Sequence, residues 1–98
     1  MNKLRDVLVV DDDTEHACRL ARGLRSRHNV RIAVGLRDAI HEIARRVPDI
    51  IICAYDMPPF RGDVLLDMIA REHPDVRRLL FDRRPTDAAA VLAAIGED

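Results

Sequence analysis

Three carboxylates in a row, Asp11, Asp12 and Asp13, follow directly on the apolar run DVLVV at 6–10. Such a cluster marks either a site that handles charge or, more plainly, a helix N-terminus, where negative charge complements the helix dipole. Further along, PDIIICAYDMPPFRGDVLL (48–66) carries a second apolar run that ends at Ala54. Tyr55 and Asp56 follow, then a Met57-Pro58 turn, with Gly62 beyond it. A third run, VRRLLF (76–81), is closed by Asp82. The glycine patterns that cradle phosphates, G-x-G-x-x-G and the P-loop, are absent, so nucleotide binding lacks its main signal. Cys18 and Cys53 have no CxxC or metal-ligand spacing, and each falls in an apolar pattern that predicts a buried thiol. His16, His28, His41 and His73 share no spacing and are expected at the surface or at helix ends.

The acidic groups need strands to hold them, and the pattern supplies strands alternating with helices. DVLVV has the continuous β-rich character of a strand buried on both faces. Ala17, Leu20, Ala21 and Leu24 then recur at helical spacing, with Asp13 or Thr14 as N-cap. NVRIAV (29–34) alternates with period two. It is followed by a helical stripe of Leu36, Ala39, Ile40, Ile43, Ala44 and Val47, stopped by Pro48. DIIICAY is a third strand, and Val64, Leu65, Met68 and Ile69 mark a helix ending near His73 and Pro74. VRRLLF is a fourth strand and TDAAAVLAAI (86–95) a fourth helix. Strands and helices linked so tightly imply right-handed crossovers, a parallel sheet and helices on both faces. In such a doubly wound α/β sheet, chemistry collects at the carboxyl ends of the strands, which is where Asp11, Asp12, Ala54, Asp56 and Asp82 fall.

Composition narrows the function. Ninety-eight residues predict a single domain spanning 1–98, 48% apolar and 34% charged, a folded rather than disordered balance. The formal net charge of −1 gives no field to steer the chain to nucleic acid or a membrane surface. Lys3 is the only lysine among sixteen cations; the rest are arginines scattered along the chain, a pattern of composition more than of phosphate recognition. The start, MNKLRDVLVV, has too short an apolar run for a signal peptide or a membrane span, so a cytoplasmic protein is expected.

Taken together, VLVVDDD, the Met57-Pro58 pair with Gly62, and REHPDVRRLLF resemble the receiver domain of bacterial two-component response regulators, over the whole chain. The resemblance implies a flavodoxin-like sheet of order 2-1-3-4-5. It implies Mg²⁺ held by an acidic pair such as Asp11 and Asp12, and an aspartate phosphoacceptor three residues before the Met-Pro pair and six after Pro48. Both spacings fall on Ala54. A Thr or Ser ends the family's fourth strand, where this chain has Asp82. The family's lysine and switch aromatic belong to a fifth strand that would begin where IGED stands, so the resemblance implies a chain without the fifth β-α unit.

These departures imply a degenerate receiver: a non-enzymatic protein-interaction module in signal transduction that works without phosphorylation. Mg²⁺ is expected to bind weakly or not at all, with only Asp11, Asp12 and the Asp56 backbone as ligands. Asp82 is expected near Asp11 and Asp12, with Arg83 or Arg84 as counterion in place of the lysine. Arg77 and Arg78 are expected to blunt the fourth strand as a sheet edge. Val91, Leu92 and Ile95 are expected to be incompletely covered, giving a protein partner or homodimer a surface on the fourth strand and fourth helix. Two alternatives stand: a receiver that uses Asp56 or Asp82 as acceptor, and a small phosphatase resembling the haloacid dehalogenase group, with Asp11 and Asp13 two residues apart.

Overall fold

The computed structural model describes residues 4–82 and 86–96. Strand β1 (Asp6–Val10) is buried along its whole length, as its unbroken β-rich run requires of a strand covered on both faces. Helix α1 (Thr14–Leu24) begins at an Asp13 N-cap whose carboxylate accepts the His16 N–H. Strand β2 (Asn29–Ala33), helix α2 (Leu36–Arg45) and strand β3 (Ile50–Ala54) follow, the last again wholly buried. Between β3 and helix α3 (Gly62–Glu72) lies an antiparallel pair the sequence pattern does not announce, β4 (Asp56–Met57) and β5 (Phe60–Arg61), turned by Pro58 and Pro59. Strand β6 (Arg77–Phe81) is the expected fourth strand, and helix α4 (Ala88–Ile95) starts two residues later than its pattern because Asp87 caps it.

The main sheet is parallel, in the order β2-β1-β3-β6. This is the flavodoxin-like doubly wound arrangement: right-handed crossovers send α1 to one face as the chain moves from β1 to β2, and α2 and α3 to the other as it moves back through β3 to β6. Two apolar cores result. Leu8, Val10, Ile51 and Cys53 point to the α2–α3 side with Ala39, Ile43, Leu65 and Ile69. Val7, Val9, Ile50 and Ile52 point to the α1 side with Leu20, Leu24, Val91 and Ile95. Truncating one fully buried residue such as Leu8 or Ile51 would cost about 2–5 kcal/mol.

Helix α4 lies on the α1 face, opposite the face a right-handed crossover to a strand beyond β6 would take. It packs so closely that a Cβ on Gly23 would sit 2.3 Å from the Ala88 Cβ. This corrects the expectation for the last helix: Val91 and Ile95 are buried at 8% and 4% exposure, and Leu92 is half-buried. Arg77 also has a second role on the edge strand: its guanidinium donates to the carbonyls of Ala94 and Ile95 and so caps α4. Arg78 donates to the Val76 carbonyl at 3.1 Å. On α2 the buried residues are Ala39 and Ile43 and Ile40 is exposed, and the helix ends at Arg45, short of exposed Val47, which the helical stripe had included.

An ion-pair network ties the amino ends of the strands together. Arg31 donates to both oxygens of Asp6 at 3.2 and 3.3 Å and to Glu42 Oε1 at 3.1 Å, while Arg46 Nε meets Asp6 Oδ2 at 2.9 Å. The Arg45 hydrogen bond, with help from Arg31, holds the Glu42 carboxyl below the usual range. His28, expected at the surface or a helix end, follows the end of α1, where its N–H donates to the Leu24 carbonyl, and is buried, accepting the Arg5 N–H at 3.3 Å. Among the described residues no helix is long and apolar enough to cross a membrane.

Candidate functional site

Register decides which residues meet at the carboxyl ends of the strands. Val10 lies opposite Cys53, Cys53 opposite Leu80, and Ala54 opposite Phe81. One residue further on, Asp11 leaves β1 beside Ala54, so Ala54 ends the central strand between Asp11 and Phe81 at 1% exposure. A buried methyl group occupies the middle of the acidic end.

Asp11 is fully buried and turned inward. Its Oδ1 accepts the Asp13 N–H at 3.0 Å, a local turn that leads into the α1 cap. Its Oδ2 lies 2.5 Å from His16 Nδ1. The other imidazole nitrogen, Nε2, accepts the Thr86 N–H at 2.8 Å. A nitrogen that accepts carries no proton, so the proton sits on Nδ1 and is donated to Asp11. The ring also packs on Phe81, centroids 5.2 Å apart at 54°. His16 is 1% exposed: of the surface and helix-end places expected for it, it takes the helix end, in the first turn of α1, but buried. It sits four residues before Leu20 on the buried stripe of α1, and that spacing was the signal that could have found it. Cys18 lies off the stripe and is exposed, against expectation, whereas Cys53 is buried as expected. Burial above all, and then the charges of Asp11 and Asp63, push the Cys53 thiol up to about 12, so no thiolate forms there near neutral pH.

The other acids part company with Asp11. Asp12 is exposed and lines a cleft of about 610 Å³ with Arg37, His41, Met57, Pro58 and Phe60. Asp13 is committed to the α1 cap, which takes it out of any paired-aspartate chemistry with Asp11. Asp56 is exposed in β4, its backbone paired with Arg61. Asp82 is exposed one residue past β6. The expected counterions Arg83 and Arg84 lie outside the described residues.

Helix α3 closes the site from below. Gly62 donates to the Tyr55 carbonyl at 2.7 Å, and Tyr55 donates to Phe81 O at 2.8 Å. A Cβ on Gly62 would stand 1.9 Å from the Ala54 carbonyl oxygen, so only glycine lets α3 start this close to the end of β3.

Residues 7–96 match the family described as Response regulator receiver domain. The chain belongs to that family. It is 33% identical over 89 residues to the transcriptional regulatory protein ZraR of Escherichia coli O157:H7, covering 90% of this chain and 20% of ZraR. Among solved structures it resembles NtrX from Brucella abortus in complex with ADP, with a TM-score of 0.85 and 22% identity over 95% of this chain and 26% of that one. It also resembles a CheY-like receiver domain protein from Methanospirillum hungatei, with a TM-score of 0.84 and 18% identity over 95% and 91% of the two chains. This receiver thus spans about a fifth of ZraR and a quarter of the NtrX chain.

The Mg²⁺ that the family implies does not fit the residues present. Both Asp11 oxygens already accept hydrogen bonds inside the protein, and Ala54 offers no oxygen from its side chain. Among the described residues no three His, Cys, Asp or Glu side chains are grouped so as to hold a metal ion. An octahedral, oxygen-loving cation needs more than the Asp12 carboxylate.

Proposed function

We propose that this receiver is a phosphorylation-independent protein-interaction module, a degenerate member of its family acting in cytoplasmic signalling without enzymatic activity. One observation carries the proposal: Ala54, buried at 1% exposure, ends the central strand beside Asp11 and Phe81. A methyl group can neither attack a phosphoryl donor nor hold the product. The surroundings agree with this. Asp82 puts negative charge where a hydroxyl would be needed to stabilise a phosphoryl group. The partner is a protein, engaged by surface rather than by chemistry. Since α4 buries Val91 and Ile95, its contact belongs to the open side of β6, where Leu80 is 45% exposed.

A receiver that uses Asp56 or Asp82 as acceptor is the second reading, favoured only by the exposure of both carboxylates. Acetyl phosphate with Mg²⁺ separates the two. The expected intact mass is unchanged for the natural chain and for Ala54→Asp alone. A stable gain of one phosphoryl group in the natural chain, abolished by Asp56→Asn or Asp82→Asn, would establish the second reading instead.

A further inference from the structure

His16 sits where an amphipathic helix ordinarily buries an apolar residue, and it is held at both nitrogens. A buried histidine whose two nitrogens have different partners fixes the positions of both. Here the partners are a carboxylate at the end of β1 and the backbone amide of Thr86, seventy residues away at the entrance to α4. The ring itself is wedged against Phe81 at the end of β6. Asp11 has no solvent-exposed surface, and its two oxygens face the Asp13 amide and the imidazole. For Asp11 to coordinate a cation, Oδ2 would have to leave His16, stranding a buried Nδ1–H donor.

We propose that His16 is an internal latch: it takes Asp11 out of service as a cation ligand and, through the Thr86 amide, pins the start of α4 to α1. The latch closes the acidic end independently of Ala54. Even a chain given back a carboxylate at position 54 keeps Asp11 committed to the imidazole. The Asp11 oxygen that faces His16 is thereby held in one arrangement.

The latch can be read without any substitution. Nitrogen-15 NMR of the imidazole in the natural chain near neutral pH is expected to show His16 protonated at Nδ1 and bare at Nε2. A proton on Nε2, alone or together with Nδ1, would overturn the proposal, because Nε2 could not then accept from Thr86. The cation half is tested by titrating Mn²⁺ into Ala54→Asp and into Ala54→Asp/His16→Leu, following proton relaxation. Leucine suits a buried site on an apolar stripe, and freeing Asp11 is expected to tighten binding by about tenfold or more, a coupling typical of residues in contact. No gain from His16→Leu, including no binding in either variant, would overturn it. Neither outcome depends on phosphotransfer, so the latch and the phosphorylation-independent function can fail separately.

Discussion

Strand β1 has a buried aspartate at its start and another just past its end, and different groups meet each. Asp6 meets cations: Arg31 on both oxygens, and Arg46 at 2.9 Å. Asp11 accepts from the Asp13 backbone amide and from the His16 imidazole. In the first region charge is matched by charge, and guanidinium groups stitch β1, β2 and α2 together. In the second, a carboxylate accepts from an amide and an imidazole beside a methyl group, on the end of the sheet where α/β folds place their chemistry. The difference teaches that an acidic strand end need not be a working site. What decides is whether the carboxylates remain available, and here Asp11 is occupied, Asp13 caps a helix and Ala54 has none to offer.

That contrast can be broken at either end. The largest effect is expected from Gly62→Ala at the carboxyl end, where a Cβ would stand 1.9 Å from a backbone oxygen that cannot move away cheaply. A loss of roughly 3 kcal/mol or more in urea unfolding is expected, and a loss below about 1 kcal/mol would mean that α3 is not held against β3 as described. At the amino end, Arg31→Met keeps the apolar stem but leaves Asp6 with one guanidinium in place of two. The side chains are 17% and 9% exposed, so some solvent screening remains and a cost of roughly 2 kcal/mol is expected. An unfolding midpoint unchanged by this substitution would show that the network is surface decoration.

The sequence made the fold legible where periodicity was strong. β1 and β3 are wholly buried as their unbroken apolar runs required, and the order β2-β1-β3-β6 is the one the family resemblance implied. It was less informative where a residue type was read apart from its stripe. Residue type alone points a histidine such as His16 to the surface, although it lies one turn before Leu20 on the buried stripe, and points Cys18 inward, although it lies off that stripe. The last helix was the other gap: periodicity gives its apolar face but not which side of the sheet it chooses. The packing of Ala88 against Gly23, the Thr86–His16 bond and the burial of Val91 and Ile95 place it on α1, and with it Arg77 as a cap. At the site itself, spacing from Pro48 and from Met57 led to Ala54, whereas the Asp11–His16–Thr86 connection spans seventy residues and no local pattern encodes it.

The central claim is that the acidic end of this receiver does not respond to phosphoryl chemistry, and the most direct measurement is the amide NMR spectrum of the natural chain titrated with beryllofluoride and Mg²⁺. The signals of Asp11, Asp12, Tyr55, Asp56 and Phe81 are expected to stay in place throughout. Saturable shifts of those signals, spreading into β6 and α4, would contradict the account.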